Sequence, residues 1–143
     1  MNIEDPEGES AAFLEALDRG LDLFNRQQFF EAYEVWSERW SEEITEGADL
    51  LQGLIQVAVG FAKLEGGSPQ GTVKLLQSGA AKLELYAPSA YGIDVTALLE
   101  LLERWRQVAE QMIARGGAAG IELPPVTLSR HTDPDDGGNG AGG

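Results

Sequence analysis

Apolar residues recur at helical spacing through most of the chain, with polar residues on the faces between them. Phe13, Leu14, Leu17, Leu21 and Phe24 form the first such stripe, and Ser10 stands where a capping side chain would open its helix. Asn25 to Gln28 breaks the pattern, which restarts at Phe29. A second helix, about Gln28 to Ile44, sets Phe29, Phe30, Tyr33, Trp36 and Trp40 along one side and Glu31, Glu34 and Glu38 along the neighbouring one. A third, about Ala48 to Leu64, is apolar nearly all round, which marks a central helix. Gly66-Gly67 ends it.

Ser68-Pro69 then opens a fourth helix, a capping residue followed by proline at the first position, with Val73, Leu76, Ala80 and Leu83 as its buried stripe. Pro88 stops it. Asp94 is placed to cap a fifth, with Val95, Leu98, Leu99, Leu102, Trp105, Ala109 and Met112 facing inward. No strand pattern of four or more alternating residues stands out. The expected fold is all-α, a single compact bundle of about five helices in antiparallel hairpins. It is expected to span residues 10–115, followed by an extended surface segment over 116–128, where Pro124-Pro125 forbid a helix, and a disordered acidic Gly-rich tail over 129–143.

Composition narrows the chemistry. The chain has 143 residues, enough for one domain with a real core, and a formal net charge of −14. A field of that sign repels phosphate backbones and anionic membrane, so neither nucleic acid nor membrane is expected as a partner. It suits solubility and a salty cytoplasm. There are no cysteines, and the single histidine, His131, lies in the tail. The folded body is thus expected to work without disulfides, thiol chemistry, an imidazole base or a metal centre, and no cofactor is expected. The first ten residues lack the apolar core of a secretory signal, and the longest apolar run, Leu50 to Leu64, is shorter than the roughly 20 residues a membrane span needs. A cytoplasmic protein is the expectation.

Two polar features interrupt the apolar pattern. Gln52 and Gln56 stand one turn apart on the central helix, with Lys63 continuing their stripe and Gly53 and Gly60 beside it. Buried amides need partners or cost about 1–3 kcal/mol each. Tyr33, Glu34 and Ser37 on the second helix are the expected ones, giving a buried polar network between helices 2 and 3. Phe30, Trp36 and Trp40 are expected in the aromatic core beside it. The alternative use of the same residues is a small pocket or hydrolase-like site, with Glu34 as base or ion ligand and Gln52, Gln56 and Lys63 orienting a substrate. Glycine at positions 53 and 60 implies close approach of another helix, since each costs about 1 kcal/mol relative to Ala.

Several of these blocks occur together in order: Phe24-Asn25, FFEAYEVWSERW, LLQGLIQVA, Gly71 with Leu75-Leu76, and YGID at 91–94. Over about residues 15–105 the chain resembles the domain of unknown function 309 family. The resemblance implies a small all-helical bundle without an assigned biochemical activity. It also marks departures. The family's signature reads His-Glu-x-x-Glu followed by Trp; here Tyr33 stands at the His position, Glu34 at the first Glu, Ser37 at the second and Trp40 at the Trp. Where members carry a further His near the end of the third helix, this chain has Ala62 and Lys63. A metal or acid–base site built on those family residues would be mostly lost here, whereas hydrogen bonding through Tyr33, Ser37, Glu34 and Gln56 would survive. The expectation is a non-catalytic structural or protein-interaction module, its partner either another protein or a second copy of the chain.

Overall fold

The computed structural model describes residues 6–43, 45–116 and 126–127. Five α-helices follow one another among them: α1 (Pro6–Asn25), α2 (Phe29–Glu42), α3 (Gly47–Glu65), α4 (Pro69–Leu83) and α5 (Val95–Ala114). Each packs chiefly on its neighbours in sequence, and α3, on α2 on one side and α4 on the other, is the central one. The expected all-α bundle is what forms.

The boundaries follow local chemistry. α1 begins at Pro6, so Ser10 lies inside the helix and is not its cap. Between α1 and α2, Gln27 takes a positive φ of 63°, and Gln28 N–H returns to Leu23 O at 2.9 Å. α4 starts with proline at its first position, as expected, but the Ser68 hydroxyl makes no cap bond; its carbonyl accepts from Thr72 N–H instead. At α5 the expected cap is present, Asp94 Oδ1 accepting from Ala97 N–H at 3.0 Å. Between α4 and α5 a short 3₁₀ turn (Glu84–Tyr86) leads into a two-stranded antiparallel hairpin, β1 (Ser89–Ala90) and β2 (Ile93–Asp94). Its two-residue loop, Tyr91-Gly92, has positive φ at both positions, the conformation that matches strand twist in tight hairpins.

Phe61 on α3 is the hub of the core. Its ring lies 5.5 Å from Phe24 of α1, 5.4 Å from Phe29 of α2 and 5.6 Å from Trp105 of α5. Trp36 of α2 is fully buried against α1, its indole Nε1 donating to Leu17 O at 3.4 Å. Gly20 makes room for it, since a Cβ there would run into the indole ring. Two expectations about the core are corrected. Leu14, counted in the α1 stripe, is 38% exposed, because α1 presents only the Phe13, Leu17, Leu21 and Phe24 side of that stripe to its neighbours. Val126, expected on a surface segment, is fully buried within the hydrophobic core. The rest of that segment and the expected tail over 129–143 lie outside the described residues, Gly116 and Thr127 apart.

Candidate functional site

α3 has two unlike sides. Toward α4 the backbones come close: a Cβ on Gly79 would sit 3.1 Å from Gly53 O, and one on Gly53 would sit 2.9 Å from Leu83 and 3.3 Å from Gly79 O. That approach brings polar groups within reach. Thr72 Oγ1, fully buried, donates to Gly60 O at 2.8 Å, and Ser78 Oγ donates to Gln56 Oε1 at 2.8 Å. Lys63 is exposed, with its methylene stem laid over Gly71 of α4. The expected partner helix for the glycines is therefore α4.

The sequence-predicted polar residues divide accordingly. Gln56 and Lys63 turn to α4, whereas Tyr33 and Ser37 are half-buried along α2 and Glu34 is exposed there. Gln52 is half-buried on α3. Among the described residues no side-chain hydrogen bond joins Tyr33, Glu34 or Ser37 to Gln52 or Gln56. The physical reason lies in what fills each junction. α2 meets α3 through rings, Phe29 against Phe61 among them, while Gln56 is taken up by Ser78 of α4 and Glu34 stands exposed to solvent. Ser78 and Thr72 were the partners sequence reading missed. Thr72 lies one position before the expected stripe at Val73, and small hydroxyl residues carry little periodic signal.

Toward the outer edge of α2, α3 leaves a gap. Phe30 and Tyr33 of α2 face Val59 and Ala62 of α3 across a cleft of about 260 Å³ that opens to solvent. Phe30 and Tyr33 lie with ring centres 5.6 Å apart. The expectation that Phe30 and Trp40 belong with Trp36 in the core is corrected: Trp36 is fully buried, but Phe30 is 58% exposed and Trp40 41% exposed. The buried side of α2 is set by Phe29, Ala32 and Trp36, and the ring of Phe30, one residue on from Phe29, swings out of it.

Carboxylates stand close in sequence to the lining residues on both helices. Glu31 adjoins Phe30, Glu34 follows one turn later, and Glu65 ends α3 one turn beyond Ala62. Glu31 and Glu65 come near enough to feel each other: the Glu65 carboxyl titrates above its ordinary 4.5, chiefly through partial burial and then through the charge of Glu31. Arg39 does not relieve them. It reaches instead to Glu43 at 3.0 Å and Glu42 at 3.7 Å. Nε of Arg39 and Oε1 of Glu43 are in charge contact without hydrogen-bond alignment, while the Thr45 hydroxyl donates to the other Glu43 oxygen. Thr45 Oγ1 in turn accepts from Gly47 N–H at 3.2 Å, so this buried carboxylate ties the α2–α3 turn to the first residue of α3. Arg39 four residues before Glu43 was the available signal for it. Among the described residues no three His, Cys, Asp or Glu stand together as a group able to hold a metal ion.

The cleft and the Thr72 end of the α3–α4 junction lie in the part of the chain that compares with a known family. Residues 17–75 match the DUF309 family model, a domain of unknown function. The match agrees with the resemblance that its motifs carry. It runs from Leu17 in α1 to Leu75 in α4, and so includes the cleft, the carboxylates near its lining in sequence and Thr72. Comparison with curated proteins finds no match. The family description names no reaction. No helix among the described residues is long and apolar enough to cross a membrane.

Proposed function

We propose that this chain is a non-catalytic protein-interaction module whose contact surface is the α2–α3 cleft. The observation that carries the reading is Phe30: a large ring, 58% exposed, beside the half-buried Tyr33, Val59 and Ala62. Single exposed apolar residues are ordinary, but an aromatic residue heading an apolar cleft is the composition of an interface anchor. The polar positions play a structural part in this reading. Gln56 with Ser78 and Thr72 with Gly60 hold α3 and α4 in register, leaving the other side of α3 free to bind. The alternative, Glu34 as base or ion ligand, has less support, because Glu34 is exposed and its side chain meets no hydrogen-bonding partner among the described residues.

The test places a photo-crosslinking phenylalanine analogue at position 30 of the full chain in its own cells. Discrete adducts are expected at position 30 and not at Leu85, which is 78% exposed but lies on the 3₁₀ turn whose Tyr86 hydroxyl donates to Glu46 O, at the opposite end of α3 from Ala62. Equal labelling at both positions, or at neither, would set the reading aside.

A further inference from the structure

The cleft is small, open and unevenly charged, and these properties together say what kind of partner fits. At about 260 Å³ it falls below the ~300–1,000 Å³ of sites that engulf a small molecule, and it has the dimensions of a seat for apolar side chains projecting from a larger body. Its lining is Phe30, Tyr33, Val59 and Ala62, two aromatic rings facing two aliphatic groups, with no hydrogen-bonding side chain but the Tyr33 hydroxyl. Beyond the lining stand Glu31, Glu34 and Glu65, and Glu65 already titrates high beside Glu31. The nearest lysine in sequence, Lys63, has its stem drawn away over Gly71 of α4. An apolar floor on two helices that also carry exposed carboxylates is complementary to a surface that carries apolar anchors flanked by cations.

Other occupants fit less well. A second copy of this chain docking by the same face would bring two sets of Glu31, Glu34 and Glu65 to one interface between proteins of net charge −14, and like charges brought together across an interface are unfavourable. Phosphate backbones and anionic membrane are repelled by the same field. We infer that the α2–α3 cleft binds a basic amphipathic helix, seating its apolar side chains between Phe30, Tyr33, Val59 and Ala62 and pairing its Lys or Arg residues with Glu31, Glu34 and Glu65. Helix-in-groove recognition reads apolar anchors three and four residues apart, and Phe30 and Tyr33 along α2, like Val59 and Ala62 along α3, present rows at that spacing. The inference rests on the interaction-module reading above and adds the chemistry of the partner.

The probe is a fluorescently labelled synthetic peptide of leucine and lysine in an amphipathic helical pattern. Two controls accompany it: the same leucine pattern with glutamate for lysine, and the lysine peptide with its order scrambled. Anisotropy titrations against the full chain are run at low and at physiological salt. Binding of the patterned lysine peptide is expected, weaker at higher salt. Phe30→Ser is expected to weaken it about tenfold, the loss of one interface anchor. The pair Glu31→Gln with Glu65→Gln is expected to weaken it and flatten its salt dependence. Glu84→Gln with Glu100→Gln removes as much charge from α5 and the 3₁₀ turn before it, and is expected to change neither by more than the general loss of field.

Equal binding of the scrambled peptide, or equal weakening by the distant pair, would mean bulk attraction to an acidic protein and would overturn the inference. Equal binding of the glutamate peptide, still dependent on Phe30, would overturn the basic partner while leaving the interaction module standing. A dimer by light scattering that Phe30→Ser dissolves would assign the cleft to a second copy instead. No peptide binding, together with no adducts at position 30, would remove both readings. Circular dichroism of each variant confirms that the compared proteins are folded.

Discussion

Where α3 meets α4, glycines let the backbones close in and a buried hydroxyl and a surface amide stitch the pair; where it meets the outer edge of α2, the contact is made by rings and an aromatic side chain is left facing water. Both junctions use the same central helix. The difference is which residues stand at the crossing: small ones at 53 and 79 on one side, Phe29 against Phe61 on the other. Small residues allow close packing and with it short-range polar contacts, whereas large rings contribute apolar burial without hydrogen bonds. The first junction is therefore suited to stability and the second to contact with something else.

The most direct way to break this contrast is to force the closed side open. Gly79→Leu places a branched side chain where even a Cβ would touch Gly53 O and the Val57 methyl at 3.1 Å each, and backbone cannot give as a side-chain tip does. A loss of about 3 kcal/mol is expected in urea denaturation, at the upper end for overpacking. A loss under about 1 kcal/mol would mean that α4 slides off without much cost and that the closed junction is not the stronger one. Thr72→Val asks a narrower question of the same junction. Shape is nearly kept while the donor to Gly60 O is removed, so about 1 kcal/mol is expected in the same measurement. No change would mean that the hydroxyl merely fills space.

How much of this was legible in the sequence follows from the same physics. Helical period sets helix existence, and all five helices could be placed because each carries a stripe three and four residues apart. Gly53 and Gly60 announced a close neighbour, but nothing in the one-dimensional pattern says whether it is the preceding or the following helix. Assigning the Gln52 and Gln56 stripe to α2 rested on adjacency alone, and α4 is equally adjacent. Phe30 and Trp40 were unreadable for another reason: on a helix with rings at five positions, hydrophobicity gives no direction, and only the packing of Phe29, Ala32 and Trp36 decides which rings remain outside. Val126 lies beyond two prolines, where no period exists to betray burial. The Arg39–Glu43 contact was the reverse case, with visible spacing and invisible burial.

The finest distinction between the two sides is electrostatic, and Glu65 reports it. Its carboxyl titrates above 4.5 because partial burial and then Glu31 disfavour the charge. Between the ordinary value and the raised one, the folded chain holds more proton than the unfolded chain, so stability falls as pH rises through that window. The contribution of Glu65 is thus fully present below pH 4.5 and lost above the folded value; at neutral pH the ionised group works slightly against the fold. Glu65→Gln should therefore raise the melting temperature at pH 7, within a change of about 0.5 kcal/mol because an exposed charge is screened. The gain should shrink with added salt and vanish near pH 4, where the native carboxyl is already neutral. A gain that persisted at pH 4 would trace to the packing of the amide, and a loss at pH 7 would mean that Glu65 has a cation beside it. In either event the open side of α3 would no longer be the one that holds uncompensated negative charge, and its complement to a basic partner would go with it.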